Sequence, residues 1–110
     1  MKFYKNLYIG DTIKKPNKVK RKIRHHAKQL KVYVILLASG SNQLEICHSL
    51  LLEQPYYHKK ENTPYIIGIA GNYEEAVALI CRITQEAVTQ NGDADLKRYL
   101  FPETQEVRKA

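Results

Sequence analysis

Acidic residues are almost missing from the first third of this chain. Between Met1 and Lys31 only Asp11 carries a carboxylate, against eleven lysines and arginines. The first 31 residues therefore carry +10 and residues 32–110 carry −3, which together give the net +7. Such asymmetry speaks to partners rather than to fold. Cysteine is scarce too. Cys47 and Cys81 are far apart and lack CxxC spacing, which excludes a disulfide framework and suits a reducing, cytoplasmic setting. Long hydrophobic runs are lacking: the longest, Val32–Ala38, is strand-sized, well short of the roughly 18 residues that span a bilayer, so no membrane partner is expected. Met1–Asp11 alternates polar and apolar residues, without the hydrophobic region of a signal peptide. Internal repeats and low-complexity segments are also missing. At 110 residues the chain is of one-domain length, and it predicts a single domain over 1–101 with a polar tail over 102–110 that frays.

What is present reads as alternating elements. Phe3–Ile9 suggests a short strand closed by Gly10-Asp11. Pro16 and Asn17 suit a helix start. On a helical wheel Val19, Ile23, His26 and Leu30 form a thin apolar seam edged by Ala27, and cations cover most of the remaining circumference. Two β-rich runs flank Ser39–Asn42 and predict a hairpin. In its second strand Leu44, Ile46, His48, Leu50 and Leu52 share one parity against Glu45, Cys47 and Ser49, the alternation of a sheet with one buried face. Glu53–Pro64 reads as a loop or hairpin tip, and Tyr65–Gly71 as another strand.

Asn72, with Glu75 three residues on, predicts an N-terminal capping box. The helix that follows carries an apolar arc of roughly 200°, from Ala76 and Val77 to Ala87 and Val88, and stops at Asn91-Gly92. Residues 93–101 predict a short helix capped by Asp93. The expected fold is α+β and two-layered, with order (β)αβββα(α). It has an antiparallel meander of three to four strands and both long helices on one face.

The segment KKPNKVKRKIRHHAKQLK, Lys14–Lys31, holds nine lysines or arginines and no acid. Its i,i+4 pairs Lys18–Lys22, Lys20–Arg24 and Arg24–Lys28 are like-charged and cost about 0.2–0.5 kcal/mol each. Lys18, Lys20, Arg21, Lys22, Arg24, Lys28 and Lys31 are accordingly candidates for binding a nucleic-acid backbone with counterion release. The competing reading is a solvated face, relieved by salt and by acids elsewhere such as Glu74, Glu75 and Glu86. Pro55–Lys60 interleaves aromatics and cations. Tyr56 and Tyr57 are candidates to stack on single-stranded bases beside Lys59 and Lys60; the alternative is one tyrosine covering the core while the lysines face water.

Other chemistries find little support. Gly68 and Gly71 lie between a strand and a helix start, yet there is no GxGxxG or GKS/T, and Glu74 and Glu75 stand where an anion would dock. Cys47 and His48 are adjacent on a strand and point to opposite faces; His25 and His26 diverge on a helix. Neither pair makes a metal site. His48 reads as a partly buried, hydrogen-bonded histidine and Cys81 as packing. Glu45 and Glu53 make no acid/base pair. No cofactor, metal or catalytic residue is nominated, and the chain reads as non-enzymatic.

The helix–strand–strand–strand–helix order over about Asn17–Gln90 resembles that of double-stranded RNA-binding domains. In that family a lysine cluster near the start of the last helix grips phosphate; the stretch here is Asn72, Tyr73, Glu74 and Glu75. The functional expectation is a small binding protein associating with nucleic-acid backbone, without strong sequence preference, through its basic first helix. The alternative is a protein-interaction or oligomeric module, in which a homodimer would cover the surplus of the 200° arc.

Overall fold

The computed structural model describes residues 2–25, 31–37, 43–53, 65–93 and 95–101. The elements run β1 (Lys2–Ile9), α1 (Pro16–Arg24), β2 (Tyr33–Leu37), β3 (Leu44–His48), a 3-10 turn (Ser49–Glu53), β4 (Tyr65–Ala70), α2 (Tyr73–Asn91) and α3 (Leu96–Leu100). This is the α+β class and the order the sequence predicts. The Ser39–Asn42 turn, His26, Ala27 and Leu30 of the apolar seam, residues 54–64 of the predicted loop and the 102–110 tail lie outside the described residues, while Glu53 ends the 3-10 turn.

The sheet is not an antiparallel meander. Its strand order is β1-β4-β2-β3. β2 pairs antiparallel with β3, from Tyr33↔His48 to Leu37↔Leu44, so the predicted hairpin is there. But β4 returns beside β2 rather than β3, and β1 joins β4 in parallel, making the sheet mixed. Composition explains the order. β2 (YVILL) and β4 (YIIGIA) are nearly continuous apolar runs, and such strands belong in the middle of a sheet covered on both faces. β1 and β3 bear the exposed Lys5, Asn6 and Glu45, which suit edge positions.

Nor do the two helices share a face. Ile35, Leu37, Ile67 and Ala70 pack under Ala76, Leu79, Ile83 and Ala87 of α2 and under Leu96 and Leu100 of α3. On the other side Val34, Leu36, Ile66, Ile69 and Cys47 pack with Ile23 of α1 and with Leu52, and Phe3 and Val19 lie at the margin. The fold therefore has three layers, α1 and α2 lying on opposite faces. A one-sided cover would leave Val34, Leu36, Ile66 and Ile69 in water, at about 1.5–3 kcal/mol per side chain. The same fact corrects the reading of β3. Cys47, on the parity predicted to face solvent, is buried, and the strand ends at His48, where the 3-10 turn leaves Leu50 and Leu51 exposed.

One irregularity keeps both faces of β4 matched. The register shifts between Ile35 and Leu36, which face Gly68 and Ile66, so Ile67 is an extra residue. A Cβ at Gly68 would press on Ile35 Cδ1 and Tyr8 O, both at 3.2 Å, on the face that Ile67 also joins. Two successive residues on one side are the mark of a bulge.

Helix ends follow local chemistry. Asn72 Oδ1 accepts from the Glu75 amide at 2.8 Å, and Gly92 closes α2 at φ 78°, its amide donating to Val88 O. Asp95, not Asp93, caps α3, accepting from the Arg98 amide at 3.1 Å. Asp93 instead accepts from the Asp95 amide and from Arg98 Nη2.

Because both faces of β4 are covered, Ile66→Ala and Ile67→Ala should each cost about 2–5 kcal/mol in chemical denaturation. A near-neutral result for Ile66 would mean that the α1 face is open.

Candidate nucleic-acid interface

α1 is a nine-residue helix that begins on Pro16, whose missing N–H costs nothing at a first helical position. It has no side-chain N-cap and no acid in its first turn, while Arg21, Lys22 and Arg24 occupy the last turn, where the helix dipole favours cations. His25 ends the described helix, its amide donating to Arg21 O at 3.1 Å. The rest of the predicted apolar seam, from His26 to Leu30, lies outside the described residues. Lys31 stands beyond it, exposed and next to the buried Val32.

The candidate cations separate into groups. Lys18, Arg21, Lys22 and Arg24 are exposed and Lys20 is half-buried. Lys20 and Arg24, one turn apart, both lie over the Phe3 ring of β1, with Lys20 Nζ 5.4 Å and Arg24 Cζ 4.8 Å from its centroid. At partly exposed sites each such contact is worth about 0.5–1 kcal/mol. Phe3 was not foreseen as part of this surface; its signal is the i,i+4 spacing of the two cations on the flank of the apolar seam. Lys28, Tyr56, Tyr57, Lys59 and Lys60 lie outside the described residues.

Among the described residues no carboxylate pairs with any α1 cation; the ion pairs there are Arg82–Glu86 and Arg98–Asp93. Two of the acids that could have relieved the repulsion, Glu75 and Glu86 of α2, are hydrogen-bonded elsewhere. Glu75 holds two loops together. Its carboxylate accepts from the Gly71 amide at 2.8 Å, the Thr12 amide at 3.1 Å and the Thr12 hydroxyl at 2.6 Å. Burial pushes this carboxyl up, but the donors of Gly71, Thr12 and Asp11 outweigh it and hold it below its ordinary value. A Cβ at Gly10 would displace the Glu75 carboxylate, and one at Gly71 would displace the Thr12 side chain. The capping box is therefore one-sided: Asn72 caps the helix, and Glu75 reaches out to anchor the loop that leads into α1.

Glu86 is the centre of a second cluster. Its Oε1 accepts from the Tyr8 hydroxyl at 2.7 Å and from the Tyr99 hydroxyl at 3.3 Å, and its Oε2 lies 3.5 Å from Arg82 Nε. Arg82 also lies over the Tyr8 ring, 5.5 Å from its centroid. These side chains line a shallow cleft of about 420 Å³ with Tyr4 and Asn6. The Tyr8 hydrogen bond leads in holding the Glu86 carboxyl low, while burial, then Tyr99 and Glu86, push the Tyr8 hydroxyl far above the ordinary phenol range. A carboxylate held ionised and a phenol held protonated make neither an acid nor a base for neutral pH. The cluster ties β1 and α3 to α2.

The remaining candidates have ordinary surroundings. His48 is half-buried, its Nδ1 accepting from the Leu50 amide at 3.1 Å and its ring edge-on to Tyr33 at 5.1 Å. Burial raises the Cys47 thiol, and Cys81 is exposed rather than packed. Among the described residues no cluster of three or more His, Cys, Asp or Glu could hold a metal, and no helix is long and apolar enough to cross a membrane.

Compared with family models, with curated proteins and with solved structures, the chain matches none of them. The likeness to double-stranded RNA-binding domains is one of element order alone, because β4 lies between β1 and β2 and the helices lie on opposite faces.

Glu75→Gln should lower stability at neutral pH. Since the folded carboxyl lies below its ordinary value of 4.5, its contribution is present above that pH and is lost as pH falls through the folded value. Thermal melts of the two proteins from pH 7 to pH 3 should converge at the acid end; a constant gap would show that the carboxylate charge is not what holds Thr12 and Gly71.

Proposed function

We propose that this protein binds the phosphate backbone of nucleic acid through α1, as a small non-enzymatic binding protein. One observation carries the reading. Five cations crowd a nine-residue helix, and among the described residues none has a carboxylate partner, while Glu75 and Glu86 are hydrogen-bonded elsewhere. The like-charge cost is retained in the free fold and is relieved when phosphates arrive and their condensed counterions leave.

Opposed faces sharpen the effect. Within α2 the acids Glu74, Glu75 and Glu86 outnumber the single Arg82, and α2 lies across the sheet from α1. A polyanion approaching the fold therefore meets attraction on one side and weak repulsion on the other, which orients the encounter.

If three to five phosphates are neutralised, log affinity for duplex DNA should fall with log salt at a slope of about −2.7 to −4.5. Titrations with duplex DNA, single-stranded DNA and RNA at several salt concentrations measure it. A flat salt dependence, or no binding at about 50 mM salt, retires the proposal.

A second reading, a homodimeric or protein-interaction module, draws on α2. Only Ala76, Leu79, Ile83 and Ala87 of its arc are buried, whereas Tyr73, Val77 and Val88 are 57%, 39% and 41% exposed. At helical spacing these three fall on one flank, the same stripe as the exposed Cys81. Sedimentation at micromolar concentration should show dimers that Val77→Glu dissolves; a monomer at all concentrations ends that reading.

A further inference from the structure

The positions of the α1 cations around the helix axis say more than their number. Val19 and Ile23 fix the direction in which α1 faces the sheet. At about 100° per residue, Arg21 then points almost directly away from the sheet. Lys20 and Arg24 stand about 80° and 120° to one side of the inward direction, and Lys22 and Lys18 about 80° and 120° to the other. Asn17 and His25 lie one turn before and after Arg21, near the same crest. The observed exposures agree: Asn17, Lys18, Arg21, Lys22, Arg24 and His25 are exposed, and Lys20, held at Phe3, is half-buried. The helix is thus cationic on both flanks, with a polar crest between them.

A helix lying across a single phosphate strand needs cations on one flank only. Two cationic flanks fit a helix with a phosphate strand on either side. We infer that the nucleic acid taken by this protein is B-form duplex DNA, with α1 seated in the major groove. Lys20 and Arg24 would face one backbone, Lys18 and Lys22 the other, and Asn17 and Arg21 the base edges. This inference rests on the backbone-binding reading above and goes beyond it by naming the duplex, the groove and the side chains on each strand.

Dimensions support the choice. An α-helix with its side chains is about 10–12 Å across, and the B-DNA major groove is about 12 Å wide. The major groove of A-form RNA is deep and narrow and does not admit one. Single strands offer no second backbone for the far flank. The crest residues are of the right types, since arginine pairs in bidentate fashion with guanine and asparagine with adenine.

The test uses the full chain and four probes at one low salt concentration: a duplex DNA, the same duplex with glucosylated hydroxymethylcytosines filling its major groove, a duplex RNA, and single-stranded DNA. The inference expects the plain duplex to bind at least tenfold tighter than each of the others. It also expects Lys18→Gln/Lys22→Gln and Lys20→Gln/Arg24→Gln each to flatten the salt slope by about 1.8, two phosphates apiece. Among the described residues Lys18 and Lys22 make no hydrogen bond, ion pair or ring contact, and thermal melts of the second variant separate lost binding from lost folding at Phe3.

Equal affinity for the plain and glucosylated duplexes overturns the groove placement while leaving backbone binding intact. So does a slope that responds to one flank alone, or a preference for RNA or single strands. Failure of all four probes to bind overturns both the inference and the reading on which it stands.

Discussion

Strand β4 is the constraint on which the rest of the fold depends. It is hydrogen-bonded to β1 on one edge and β2 on the other, and Ile66, Ile67, Ile69 and Ala70 are completely removed from solvent. A strand with apolar side chains on both parities cannot be satisfied by one helical layer. It requires cover above and below, and the chain has two segments able to give it, the seam of α1 and the arc of α2. The bulge at Ile67 keeps both parities in register with β2, whose Ile35 and Leu36 straddle it. Once β4 is central, the opposition of the helices follows, and with it the separation of positive from negative charge.

That separation gives the basic helix its character. Of the α2 acids Glu74, Glu75 and Glu86, the last two have structural work: Glu75 binds Thr12 and Gly71, and Glu86 binds Tyr8 and Tyr99. Each is held ionised by donors rather than by a cation of α1. The repulsion among Lys18, Lys20, Arg21, Lys22 and Arg24 is therefore not relieved by these acids. It is moderated by the Phe3 ring, whose π face accepts two cations without cancelling their charge.

Much of this was legible in the sequence, and what was missed had mostly left a signal. Pro16, Asn72 and Gly92 mark helix ends by local chemistry that acts over three or four residues, and they lie where the pattern placed them. Strand order is a property of distant segments, so the hairpin of β2 and β3 was readable while the insertion of β4 beside β2 was not. The opposed helices did leave a trace. YVILL and YIIGIA show no alternation, and strands without alternation belong to sheets covered on both sides. The alternation in Leu44–Leu52 pulled the other way, but it belongs to an edge strand that stops at His48. The Tyr8–Glu86–Tyr99 cluster joins residues 78 and 13 positions apart, and no local pattern announces it.

The β4–α2 junction shows how one carboxylate can decide what a site is for. Gly71 lies between a buried strand and a helix start, and its amide, with the amide and hydroxyl of Thr12, converges on one point. Donors gathered at a helix start are the makings of an anion site. Here Glu75, from the first turn of the same helix, fills the position and satisfies every one of those donors. Through Thr12 it also fixes the loop that delivers Lys14, Lys15 and the start of α1. An anion binding at this point would have to displace a tethered carboxylate and release the loop that orients the cationic helix. The fold therefore uses this anion cradle internally, and the cations of α1 stand on the face of the sheet opposite α2.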